Sequence, residues 1–144
     1  MKKTFSIAAG IVSGFIVMMI IEAITHKMYP LPKGFDLSKA DDETMKFIME
    51  MLPRGAYLMI LLGFALGSFF GGLVSSLLSQ KIQQPLIAGL AIMLGGIVNC
   101  FLIPHPLWLV ITSLFMYVPF AFLGGKIGIR IRKGASDATF NDRI

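Results

Sequence analysis

The 144-residue sequence contains one cysteine, one tryptophan and two histidines, and only 15% of it is charged. A single cysteine can neither close an intrachain disulfide nor run thiol–disulfide exchange by itself, which excludes a disulfide-stapled secreted scaffold. So few charges can neither clothe a soluble globule nor keep a chain disordered. Acids are scarcer than bases, 8 against 13, for a net charge of +5. What remains is apolar: 56% of the residues belong to the set AVILMFWYC, and the mean hydropathy is +0.78. An average soluble domain holds about 45–50% apolar residues even with glycine counted, and a chain of one domain's length cannot bury the excess. The sequence reads as an integral membrane protein.

Charge-free runs cover residues 4–21, 55–80 and 82–125, which is 18, 26 and 44 residues. A hydrocarbon layer about 30 Å thick takes about 20 residues of helix. The first two runs therefore make one span each. The third makes two, divided at Pro104-His105-Pro106, since proline removes a helix donor and restricts the residue before it. Spans are predicted at 5–24, 55–79, 86–103 and 107–125. The runs lack the alternation of a barrel strand. The expected fold class is an all-α integral membrane protein in one domain, 1–144: four transmembrane helices in a bundle, with a short amphipathic helix in the outer loop between the first two. Lys2-Lys3 could open a signal peptide, but the apolar stretch exceeds the usual core of about 7–15 residues and no small-x-small site follows, so a retained helix is expected.

The basic residues sort by side. Eight fall with the termini and the second connection (Lys2, Lys3, Lys81, Lys126, Arg130, Arg132, Lys133 and Arg143), and five fall in the outer segment 26–54. That bias predicts both termini in the cytoplasm, with an inner basic tail over 126–144. The positive charge is thus a topology signal, and no nucleic-acid partner is expected. Tyr57 and Trp108, at the outer starts of the second and fourth spans, are expected in an aromatic belt. Pro119 is expected to kink the fourth span.

The outer segment opens with Tyr29-Pro30-Leu31-Pro32-Lys33-Gly34, an extended and then turning path. Ser38, three residues before Asp41, suggests a capping box. Met45, Ile48, Met49 and Leu52 follow at i, i+3, i+4 and i+7 and predict an amphipathic helix ended by Pro53. It is expected along the membrane surface or over the bundle, as a lid or as a docking helix.

Helices in lipid associate through close backbone approach at small residues. Gly63, Gly67 and Gly71 form a glycine-zipper-like run in the second span, and Gly10 and Gly14 lie in the first. They predict tight crossings, within the monomer or between copies in a homo-oligomer. An internal echo links Gly10-Ile11-Val12-Ser13-Gly14-Phe15 to Gly96-Ile97-Val98-Asn99-Cys100-Phe101. A second links Phe69-Phe70-Gly71-Gly72 to Phe122-Leu123-Gly124-Gly125. The pair would fit a parallel duplication of a two-helix hairpin.

Polar groups in the spans are few. Glu22 is the only carboxylate there, and His26 follows it at i+4 on the same helical face. Asn99 and Cys100 lie about one turn below that level, and His105 sits in the turn. Glu22, His26 and Asn99 form the candidate proton or cation site, against a structural reading in which Glu22 is hydrogen-bonded or snorkels to water. Glu22, His26 and His105 have the chemistry of a zinc set without the spacing of a metal motif, so no metal is expected. No catalytic constellation, no phosphate-binding loop and no cofactor site are found.

Glu22 with Tyr29-Pro30-x-Pro32-x-Gly34-x-Asp36, Leu52-Pro53, Gly67-x-x-x-Gly71, Ile103-Pro104-x-Pro106-x-Trp108 and Tyr117-x-Pro119 resembles a family of small bacterial four-helix integral membrane proteins without an assigned activity. The resemblance covers nearly the whole chain and implies the fold and a multipass location in the inner (plasma) membrane. Where that family often has a small residue, this chain has His105. The function expected is that of a non-enzymatic scaffold, accessory subunit or regulator, whose partners are the bilayer and itself or a larger membrane complex. The alternative is a small proton- or cation-coupled transporter or channel using Glu22.

Overall fold

The structure, a computed structural model, describes the backbone of residues 2–30, 41–79, 81–102 and 105–141. Among these residues the chain forms five helices and no strand: α1 (Lys2–Met28), α2 (Asp42–Met51), α3 (Arg54–Ser79), α4 (Gln83–Leu102) and α5 (Leu107–Asn141). Three are long and apolar enough to cross a membrane, over Lys3–Met28, Arg54–Ser79 and Leu107–Ala135; the described apolar part of α4 is Gln83–Asn99. Pro32, Lys33, Gly34, Ser38 and the turn residues 103–104 lie outside the described residues, as does the side chain of Cys100.

The boundaries follow local chemistry. α1 runs four residues past its predicted end, through His26 and Lys27 to Met28. The Thr25 hydroxyl donates to the Ile21 carbonyl at 2.7 Å, and the helix stops just before Tyr29-Pro30, where a following proline disfavours the helical conformation. α2 differs from the capping expectation, because its N-cap is Asp41, whose carboxylate accepts from the Thr44 amide at 2.9 Å. α4 begins three residues early, with Pro85 inside its first turn, where the missing donor would have had no helical partner.

The largest difference is α5, which is 35 residues long and continues through the basic segment expected as a tail. The charges at residues 126–133 end the apolar run without ending the helix, since lysine and arginine are good helix formers and propagation is easy once a helix exists. α5 is also helical on both sides of Pro119.

α3 is the central element, packed against α1 on one side and α5 on the other, while α4 touches all three. Successive contacts set the directions. Gly10 faces Gly71 and Ser75, Gly14 faces Gly67, and Gly63 faces Ile21, so α1 and α3 run antiparallel. Tyr57 meets Trp108, Phe64 meets Tyr117 and Gly128 faces Ser76, so α3 and α5 run parallel. A Cβ on Gly10 would stand 2.6 Å from the Gly71 carbonyl oxygen, and one on Gly71 2.9 Å from that of Gly10. No side chain fits between them. Several hydroxyls inside the helices turn back on the preceding turn, as Ser13 does to the Gly10 carbonyl at 2.9 Å and Ser113 to the Val110 carbonyl at 2.8 Å.

The internal echo does not extend to the packing. Gly10 lies against α3 backbone, whereas its counterpart Gly96 makes room for the Tyr117 phenol. Gly71 faces α1 and Ile92, whereas its counterpart Gly124 faces the Phe69 carbonyl of α3.

Candidate functional site

The four long helices are not equally close along their length. At the end carrying α2, α1, α3 and α4 part around a cavity of about 400 Å3, whose lining includes Glu22, His26, Asn99 and His105. Four elements supply its walls. α1 contributes Met18 and Ile21 below the polar pair, α3 contributes Met59, Ile60 and Phe64, and α4 contributes Asn99. α2 roofs it with Met45 and Met49. Met18 and Met59 are the part that sequence reading missed, because in an apolar helix a methionine looks the same whether it fills a core, faces lipid or lines a cavity.

α2 is fastened by contacts on its apolar face. Ile48 is 2% exposed. The Tyr57 hydroxyl donates to the Met49 carbonyl, and the Tyr57 ring meets Trp108 edge-on at 5.6 Å between centroids. Tyr57 is therefore a buried anchor, while Trp108 stays half exposed. Tyr57, Leu61 and Leu109 form a buried cluster with Leu52 packed against it, which joins the roof to α3 and α5. Tyr29 lies over Gly55, where any side chain would collide with its ring. α1 and α3 are thus held together at the cavity's edge. Hydrogen bonds from Thr44 hold the Asp41 carboxyl below its ordinary value and fix the first turn of α2.

Glu22 and His26 form the open rim. Their side chains are 68% and 54% exposed, and His26 Nε2 stands 3.9 Å from Glu22 Oε1. That separation exceeds a hydrogen bond, so the pair is loose and the carboxylate has room for another partner. Asn99 and His105 line the same cavity. No group of three or more His, Cys, Asp or Glu side chains that could hold a metal occurs among the described residues. Glu22, His26 and His105 thus share a cavity without assembling a metal site.

The cavity ends where the glycines begin. Its deepest lining residues include Met18, Gly63 and Phe64. One turn further in, a Cβ on Gly67 would stand 2.5 Å from Met18 Cγ, and one on Gly14 would stand 2.6 Å from Ile92 Cδ1. Phe64 stacks on Tyr117 at 5.4 Å between centroids, and Tyr117 is 1% exposed and lies outside the lining. The opposite end is strapped. The Arg132 guanidinium donates to the Leu77 carbonyl, one of the carbonyls a helix end leaves unpaired. Lys126 Nζ sits 5.5 Å over the Phe122 ring.

No protein-family model matches the chain, and no curated protein or solved structure is significantly similar to it.

Proposed function

We propose that the chain is a four-helix integral membrane protein that acts without catalysis, as an accessory or regulatory component whose working face is the α2-roofed cavity. α1, α3 and α5 have the length and apolarity of spans. α4 has 20 helical residues, about 30 Å at 1.5 Å each, which matches the hydrocarbon thickness. The positive-inside bias puts the cavity on the outer face and α5's basic extension in the cytoplasm. In a bacterium this corresponds to the inner membrane, and membership of the four-helix family named above belongs to the same proposal.

One observation carries the choice between an accessory protein and a transporter. The cavity occupies one end, and the α1–α3 and α3–α5 crossings below it are closed by backbone on backbone. Transport needs a route to the far side. A cavity at one end, with a loose acid in its lining and close glycine crossings beyond it, supports a role in receiving a ligand or partner. The glycine faces then make the scaffold rigid and leave α2 to sense occupancy or a partner.

The experiment is reconstitution into liposomes with a proton gradient, alongside purification in mild detergent. The reading expects no proton or monovalent-cation flux above empty liposomes, the same result for Glu22→Gln, and a stable oligomer or co-purifying membrane partner. Flux that disappears in Glu22→Gln would replace this reading with the transporter.

A further inference from the structure

We propose that the α2-roofed cavity is a binding site for a lipophilic amine, an organic cation carrying one apolar chain or ring. The inference rests on the membrane reading above and adds the chemistry of the ligand. Size is the first argument: about 400 Å3 is within the range of small-molecule pockets. The walls are the second. Met18, Met45, Met49 and Met59 come from three different helices and line one space with Ile60 and Phe64. Methionine adapts its shape to an apolar guest and gains from its polarisable sulfur.

Charge selects the head group. Among the described residues, Glu22 is the only acid in the lining, and the lining contains no lysine or arginine. A phosphate or carboxylate head would meet a like charge with no fixed cation to offset it. An ammonium head meets a carboxylate whose nearest ionisable side chain, His26, is 3.9 Å away, with the Thr25 hydroxyl and the Asn99 amide carbonyl as further acceptors in the same lining. The exposed Glu22 sits at the mouth and the methionines lie inside, so an amphiphile would enter tail first and leave its head at the rim.

The test uses three eight-carbon probes that differ only in their heads: octylammonium, octanol and octanoate. Each is titrated below its micellar range into the full chain in nanodiscs, with carbon-13 methionine methyl signals as the readout. Octylammonium is expected to shift the methyls of Met18, Met45, Met49 and Met59 saturably. Its affinity should exceed that of octanol about tenfold and that of octanoate by more. Glu22→Gln, at a largely exposed position and so without a folding penalty, should lower octylammonium binding about tenfold, to the level of octanol. Octanoate binding as well as octylammonium would overturn the proposal. So would unchanged affinity in Glu22→Gln, or equal shifts at Met19 and Met51, which are 67% and 54% exposed and report simple partitioning. Failure here leaves the accessory reading intact, whereas Glu22-dependent flux in liposomes would end that reading and leave a binding result standing.

Discussion

The same four helices are built in two ways along their length. Away from α2 the contacts are glycine against backbone: Gly10 and Gly14 against Gly71 and Gly67, and Gly72 and Gly124 against Ala121 and Phe69. Under α2 the facing side chains are Met18, Ile21, Met59, Ile60 and Phe64, and a cavity opens between them. Lipid tails are as apolar as these side chains, so helices gain no hydrophobic driving force by meeting in a membrane. Close approach is the force that remains, and only small residues permit it. Where glycine gives way to long flexible side chains the helices stand apart, and the space between them becomes a pocket. One end is thus closely packed and the other holds a cavity.

The largest effects should come from spoiling the closed end. Gly72→Leu drives a side chain into the Ala121 carbonyl and should cost about 3 kcal/mol of bundle stability, read by reversible unfolding in detergent. Gly134→Leu is its control, because nothing lies within 4 Å of Gly134; it should stay within about 0.5 kcal/mol. Gly67→Val comes next at about 2 kcal/mol, since Met18 can yield but the Gly14 carbonyl, 2.9 Å from the new Cβ, cannot. Propensity alone would make all three substitutions neutral or stabilising, because leucine and valine are better helix formers than glycine; that outcome would remove the contrast between the two ends.

Smaller effects belong to the roof. Tyr57→Phe removes the bond to the Met49 carbonyl and should cost about 1 kcal/mol. Amide exchange in α2 would quicken about fivefold while α3 and α5 stay protected. A loss of protection in all helices together would show that α2 is not a separate unit. The smallest effect is that of pH on the cap. The Asp41 carboxyl is lowered from an ordinary value of 3.8 by its hydrogen bonds with Thr44. A depressed acid stabilises the folded state above its unfolded value, and that contribution is lost as pH falls through the lowered one. α2 amides should therefore exchange faster as pH drops below about 3.8, after correction for intrinsic rates, and Asp41→Asn should flatten the change.

Much of this plan was legible in the residues, for identifiable reasons. Proline and long apolar runs mark helix ends to within a few positions, as at Ser79 and Leu107. α5 escaped because a cluster of lysine and arginine reports where lipid ends rather than where a helix ends. The Gly63, Gly67, Gly71 run announces a tight face, but its spacing does not say that α3 carries a second such face, through Gly72, for α5. Tyr57 looked like a belt residue because a tyrosine near a span's end fits the interface equally well. Its burial depends on α2 folding back over it, which is tertiary information. At the site, the i, i+4 pairing of Glu22 and His26 is a local property and is readable. Asn99 and His105 reach the same cavity only through the path of α4 and the turn after it, and Met18 and Met59 carry no pattern of their own.

Thiol accessibility decides whether the cavity is open at one end and closed below. With the single cysteine replaced as Cys100→Ser, a membrane-impermeant maleimide is applied from each side in turn to Glu22→Cys, Ser68→Cys and Ser75→Cys. Glu22 lies on the rim, whereas Ser68 and Ser75 are fully buried. Position 22 should label rapidly from the α2 side alone, and positions 68 and 75 from neither side. Labelling at 68 or 75 would reveal a water path through the bundle and contradict closure below the cavity.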